Sequence, residues 1–226
     1  MTPLVTLENV GVDFPIRSGR ERVRHQVLSG LNLSISRGDR LGIVGKNGVG
    51  KSTLLRVIGK ILPPSQGAVT WAQSVTVSLL SLGLGFRNEL NGRDNAYLSA
   101  LLQGLQRKEA RQILPAIEAF CELGDYFYEP VKTYSSGMRA RLGFATSVVT
   151  RSKVLLIDEV LAVGDRNFRD KAKQYLKNSF SEDQAVVLVS HIDAQVQEWC
   201  RTALLIRTDG TVVHGAASEI ISRPDR

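Results

Sequence analysis

An apolar run, Leu41 to Val44, is followed by Gly45-Lys-Asn-Gly-Val-Gly-Lys-Ser52 and then by a helical pattern from Thr53 to Gly59. No other stretch restricts the fold so strongly. The eight residues match G-x-x-x-x-G-K-S, and they stand between a strand and a helix, as that motif requires. Gly45, Gly48 and Gly50 carry no side chains, so the backbone around Asn47 can curl with its N–H groups pointing inward. The helix N-terminus adds partial positive charge. Phosphate oxygens fit such a concavity. Lys51 is placed to reach β- and γ-phosphates, Ser52 to offer its hydroxyl to Mg²⁺, and Thr53 to add a further hydroxyl contact. A glycine-rich turn without a ligand is the plain alternative, and the strand-loop-helix context argues against it. A nucleoside triphosphate site is implied.

The surrounding pattern is α/β. Val5 to Phe14 and Leu28 to Ile35 read as strands, and the Arg-rich stretch Pro15 to Gln26 between them reads as an irregular insertion. Val69 to Leu82 reads as two short strands. From Asp94 to Thr150 the pattern is helical, with Tyr97, Leu98, Leu101 and Leu102 on one face and Ile113, Leu114, Ile117 and Phe120 on another. A buried strand, Val154 to Ile157, then ends in Asp158-Glu159. A helix (Asn167 to Phe180), a strand (Ala185 to Val189), a short helix (Ile192 to Trp199) and strands at Ala203 to Ile206 and Thr211 to His214 follow. Alternating strands and helices predict a mostly parallel sheet with helices on both faces. We expect one domain over 1–226: a core of about 1–82 and 151–226, with a helical subdomain of about 83–150 inserted.

At 226 residues the chain is long enough to bury roughly 70% of its unfolded surface. Cys121 and Cys200 have no metal-ligand or redox spacing, which fits a reducing compartment. No apolar run approaches the ~18 residues of a membrane helix, and the N-terminus lacks a signal-peptide pattern, so a cytosolic chain is expected. The net charge of +7 invites a polyanion, but its distribution narrows the choice. Between Arg17 and Lys60 ten basic residues face only Glu21 and Asp39, whereas the rest of the chain has 19 basic and 20 acidic residues. A broad basic face for nucleic acid is therefore not expected. Arg17, Arg20, Arg22 and Arg24 could meet nucleotide phosphates, a membrane protein or anionic lipid at ~1 kcal/mol per residue, or form a solvated loop.

Mg²⁺ prefers oxygen ligands, so a carboxylate is expected near Ser52. Asp158 is the candidate, because parallel strands present their C-terminal ends to the ligand. Glu159 beside it can polarise an attacking water; acidic residues ending a strand for solubility are the alternative. A guanine-reading N-K-x-D is missing, and Asp39-Arg-Leu-Gly42 precedes the loop, which is the wrong order for a GTPase. Tyr134-Ser-Ser-Gly-Met138 instead opens a helix, where Ser135, Ser136 and Gly137 make a small, donor-rich start suited to an anion. His191 follows a strand, where an imidazole can meet a γ-phosphate.

With these motifs in this order, the sequence resembles the ATP-binding-cassette (ABC) ATPases over nearly its whole length. Tyr134-Ser-Ser-Gly-Met138 stands where that family has L-S-G-G-Q, His191 matches its switch histidine, and Asp165 its D-loop aspartate. The resemblance implies a P-loop NTPase fold with N-terminal antiparallel strands beside the mostly parallel sheet, ATP and Mg²⁺ as ligands, and a homodimer. Each of its two composite sites would hold ATP between one chain's glycine-rich loop and the other's signature helix. Phe14 matches the aromatic that stacks on adenine; a core phenylalanine is the plain alternative. Two departures stand out: Ser81 to Phe86 has no Q-loop glutamine, and Val160 replaces the usual proline.

Ser81 to Asn95, and Asp158-Glu-Val-Leu-Ala-Val-Gly-Asp165, resemble the ATPase subunits of bacterial exporters of O-antigen, capsule and teichoic acid. That likeness implies a separate, dimeric membrane permease, a lipid-linked polysaccharide reached only through it, and a peripheral position on the cytoplasmic side of the inner membrane. The Gly83-Leu-Gly-Phe86 loop, at the junction of core and helical subdomain, carries a glycine-flanked aromatic, and we expect Phe86 to be a contact to that permease. Another ABC transporter, or a soluble ABC ATPase acting on nucleic acid or an assembly scaffold, is the alternative. The carbohydrate-binding domain some such subunits carry is not expected here.

Overall fold

The computed structural model of the chain describes residues 3–18, 21–80, 85–158, 165–179 and 183–223. In chain order its elements begin with β1 (Val5–Ser18), β2 (Glu21–Ile35), β3 (Arg40–Val44), α1 (Lys51–Ile58), β4 (Gln66–Trp71) and β5 (Val77–Leu80). Helices α2 (Gly92–Leu102), α3 (Arg107–Gln112), α4 (Leu114–Cys121) and α5 (Ser136–Val149) follow, with short 3-10 turns at Gly124–Tyr128 and Val131–Thr133. The rest is β6 (Val154–Asp158), α6 (Arg166–Ser179), β7 (Ala185–Val189), α7 (Asp193–Trp199), β8 (Thr202–Ile206), β9 (Val212–Ala216) and α8 (Ala217–Ile221). These form two compact units: Met1–Val75 with Glu182–Arg226, and Thr76–Ser181.

The first unit holds both kinds of sheet. β1 pairs antiparallel with β2 on one side and β4 on the other. β3 lies parallel between β7 and β8, and β9 closes antiparallel on β8. β3 and β7 are near-continuous apolar runs, as strands buried on both faces must be. Helix α7 packs so closely on β3 that a Cβ at Gly42 would stand 2.5 Å from Val196 Cγ1. In β1, Asn9 takes a left-handed conformation (φ 50°), and the register with β2 shifts between Leu7 and Val10. That bulge keeps Val5, Leu7, Val10 and Val12 all buried where strict alternation would turn some outward.

Pro15 to Gln26 is not an irregular insertion. β1 and β2 continue through it as a two-stranded ribbon, from Asp13 opposite Gln26 and Phe14 opposite His25 to Ser18 opposite Glu21. Phe14, Pro15 and Val23 to Gln26 are exposed, and exposed strand residues need no apolar alternation, which is why composition disguises the ribbon. Pro15 is tolerated because β4 stops pairing at Gly11, so β1, still paired with β2, has a free edge on its other side.

The second unit pairs β5 parallel with β6 and carries helices α2 to α6. Its core gathers Leu114, Ile117, Cys121, Phe127, Val131, Tyr134, Leu142 and Ala145. The expected face of α2 is corrected in part: Tyr97 packs half-buried against this core and Leu101 is half-buried, but Leu98 is 36% and Leu102 84% exposed. The helix instead buries Gly92, Asn95, Ala96 and Ala100, because small residues let it approach its neighbours closely. Asn95 is the polar exception. Its Oδ1 accepts from Arg87 N at 2.7 Å, and its Nδ2 donates to the carbonyls of Arg87, Leu90 and Asn91 at 2.9–3.1 Å. One buried amide thus fixes the loop leading into α2. Both cysteines are buried and free. Among the described residues no helix is long and apolar enough to cross a membrane.

Candidate nucleotide site

The loop after β3 closes as its glycines dictate. Gly45, Gly48 and Gly50 have φ of 144°, 82° and 105°, conformations that side-chain-bearing residues rarely adopt. A Cβ on Gly45 would collide with the Ile206 carbonyl, and one on Gly50 would stand 2.7 Å from Val27 Cγ1. The chain wraps Lys51, which is only 6% exposed and whose Nζ donates to the carbonyls of Gly45 and Lys46, both at 2.9 Å. α1 then starts with Gly50 as its N-cap. Among the described residues no side chain caps it, and its first turn contains no acidic residue. The helix start therefore keeps its affinity for an anion. Ser52 and Thr53 sit half-buried on that first turn.

Two cavities flank the loop. One of about 220 Å³ is lined by Val44, Gly45, Lys46, Ser190, His191 and Asp193, so the fold brings His191 to the loop from the end of β7. Ser190 shapes this turn: its hydroxyl donates to Gln195 Oε1 at 2.7 Å and accepts from Ile192 N at 3.0 Å. The second, about 260 Å³, lies between Asn47-Gly48-Val49, the β2 residues His25 to Val27 with Ser29, and the Arg207 to Gly210 turn. Phe14 pairs with His25 on the ribbon and is 36% exposed, so it is not a core residue.

The remaining predicted residues belong to the second unit. Ser135 is the N-cap of α5, its Oγ accepting from Met138 N at 3.2 Å. Ser136 beside it is exposed and Gly137 half-buried. Tyr134 anchors this start from below: it is buried, and its hydroxyl donates to the Tyr126 carbonyl at 2.5 Å. Burial pushes its phenol up to about 12. Asp158 ends β6, half-buried. Glu159 lies outside the described residues, as do Val160, Arg20 and the Ser81 to Leu84 part of the loop that ends at Phe86. Asp165 precedes α6; its Oδ1 accepts from Phe168 N at 2.9 Å, and its Oδ2 pairs with Arg141. The Phe168 N–H, then Arg141, hold this carboxyl below its ordinary value.

Sequence reasoning missed Ser190, Asn95 and Arg141. Ser190 left a faint signal, a small polar residue between a buried strand and a histidine. Arg141 left none, since an arginine on a helix usually faces water.

A glycine-lined loop closed around a buried lysine, set between a parallel strand and an uncapped helix, defines a P-loop nucleotide-binding protein. The ABC transporter family matches residues 28–162, and the chain belongs to that family, whose general activity is ATP hydrolysis. It is 36% identical over 239 residues to an O-antigen export system ATP-binding protein, RfbB, of Klebsiella pneumoniae, covering 98% of this chain and 97% of that one. It is 34% identical to a teichoic acids export ATP-binding protein, TagH, of Shouchella clausii over 87% of this chain, and spans 54% of that protein. The fold matches that of a dimeric post-hydrolysis ATP-binding cassette bound to ADP and Pi (TM-score 0.75, 22% identity, 94% of this chain and 98% of that one). It also matches an ATP-binding subunit of an ABC transporter (TM-score 0.80, 18% identity, 96% and 91%).

Proposed function

We propose that the chain is a single ABC nucleotide-binding domain and the ATP-hydrolysing motor subunit of an exporter of lipid-linked polysaccharide, of O-antigen, capsule or teichoic-acid type. The observation that carries the ATPase reading is the closed loop around Lys51, with His191 across the adjoining cavity. Relatives named for O-antigen and teichoic acid export, matched over nearly the whole chain, supply the substrate class. A dimeric permease is the membrane-spanning partner, and the motor acts at the cytoplasmic face of the membrane.

In this reading the loop N–H groups and Lys51 hold the β- and γ-phosphates in place of water, and Phe14 stacks on adenine beside the His25 cavity. Mg²⁺ would be held by Ser52 and Asp158, whose hard oxygens suit it, and would neutralise phosphate charge. Glu159 accepts the proton of the attacking water, and His191 donates to the γ-phosphate. Ser135, Ser136, Gly137 and Asp165 act on the nucleotide of a second copy. ATP then bridges the dimer, and its loss on hydrolysis loosens the interface by mass action.

The test is a bacterial strain lacking this gene. Surface polymer should be lost, and should return with the wild-type chain but not with Lys51→Ala. In the purified protein Glu159→Gln should abolish hydrolysis and accumulate an ATP-bound dimer on size exclusion. Full hydrolysis by Glu159→Gln would refute its role as base, and intact surface polymer in the deletion strain would refute the export reading.

A further inference from the structure

We propose that Arg141 is a positioning residue that clamps the start of α6 to the signature helix α5, so that Asp165 and Ser135 meet a partner's nucleotide as one unit. The proposal rests on the roles given above to those two residues.

Arg141 lies six residues beyond Ser135, and its side chain is only 20% exposed. Its Nη2 pairs with Asp165, its Nη1 lies 3.9 Å from Glu122 Oε2, and its guanidinium carbon stands 4.9 Å from the centre of the Phe168 ring. Asp165 is gripped from both sides, because its other oxygen accepts from Phe168 N. Asp165 thus both caps α6 and ties α6 to α5.

A second layer supports the clamp. Glu122 ends α4 in a left-handed conformation (φ 54°), unusual for a residue with a side chain. Its carboxylate lies between two cations, pairing with Lys171 of α6 and facing Arg141 of α5. Lys171 also donates to the Phe120 carbonyl at 3.0 Å and lies 4.7 Å from the centre of that ring. Beneath the charges Phe120, Phe144 and Phe168, one from each of α4, α5 and α6, pack with centroids 5.8–5.9 Å apart. Opposite charges alternate over an aromatic floor, so α5 and α6 cannot slide past one another without parting several partners. A planar guanidinium presents donors in a rigid fork to two carboxylates while its face lies on a ring, a geometry that a lysine's flexible point charge reproduces only in part.

The experiment measures steady-state hydrolysis and monomer affinity for a fluorescent ATP analogue in Arg141→Ala, Arg141→Lys and Asp165→Asn. A misplaced Asp165 should lower kcat by about 10- to 100-fold in Arg141→Ala. Monomer affinity should stay within about twofold, because binding and turnover are separable readouts. Arg141→Lys should recover part of the lost turnover. Wild-type kcat in Arg141→Ala, with kcat lost in Asp165→Asn, overturns the clamp alone. Wild-type kcat in Asp165→Asn overturns the reading of Asp165 on which the clamp rests. A fall in kcat matched by an equal fall in monomer affinity shows mere unfolding and also overturns it. If Arg141→Ala does not fold, Arg141→Lys decides by the same comparison: lowered kcat at unchanged affinity supports the clamp, and wild-type kcat overturns it.

Discussion

Replacing each loop glycine by alanine separates what the backbone conformation requires from what the neighbours require. At Gly48 (φ 82°) a Cβ would meet nothing within 4 Å, so Gly48→Ala should cost only the left-handed penalty, about 1–2 kcal/mol. At Gly50 (φ 105°) the Cβ would press on Val27 Cγ1 at 2.7 Å and Leu28 Cδ2 at 3.2 Å. The Val27 carbonyl also stands at 3.2 Å, but the tightest contact is a side chain that can yield, so strain and overpacking together should cost about 2–4 kcal/mol. At Gly45 (φ 144°) the obstacle is the Ile206 carbonyl, held in the β8 ladder to β9, and backbone does not yield cheaply. Gly45→Ala should cost about 3–5 kcal/mol. For a domain of this size 1 kcal/mol moves Tm by about 2–4 °C, so the ligand-free melts should fall in the order Gly48, Gly50, Gly45. A second melt with ATP at 100 times Kd should raise the wild type by about 2.7 kcal/mol, and Gly45→Ala should lose most of that gain because its cradle is deformed. The assay is differential scanning calorimetry with urea melts as a check. Equal destabilisation of the three variants, or a neutral Gly45→Ala, would refute the geometric account of the loop.

Three further outcomes follow from the packing. Ser135→Ala removes the cap of α5 and should cost about 1 kcal/mol in urea melts, leaving the fold intact while turnover falls far more. Burial pushes the Cys121 and Cys200 thiols up to about 11 and about 12, so both should resist alkylation at pH 8 in the native state and react at once in urea. Fast native labelling would show that these sites open. Asp165 has a folded-state pKa below its ordinary 3.8, so its contribution is fully present above that value and lost as pH falls below it. Acid unfolding of Asp165→Asn should accordingly show a shallower loss of stability on the acid side of pH 3.8 than the wild type, and identical slopes would contradict the cap and ion pair.

Strands buried on both faces were plain in the sequence because apolar runs such as Val154 to Ile157 and Ala185 to Val189 admit few other readings. The α2 face was misread because periodicity ranks residues by apolarity. Close helix packing selected Ala96, Ala100 and Asn95 instead, and left Leu98 and Leu102 facing water. The ribbon of β1 and β2 was hidden for a related reason. It is defined by backbone register, such as Ile16 opposite Val23, and composition alone cannot reveal which residues will be opposite.

By itself the sequence determined the phosphate loop, since three glycines, a lysine and a serine at fixed spacing specify a local backbone path needing little from the rest of the chain. It likewise determined the order of the motifs and hence the family. The tertiary structure alone decided what surrounds that loop. His191 comes to it from the end of β7, 140 positions after Lys51, because β3 and β7 pair in parallel. Arg141, Glu122 and Lys171 converge because three helices pack over shared phenylalanine rings. Local conformation is coded by neighbours in the chain, whereas these meetings depend on pairing and packing between residues far apart in it.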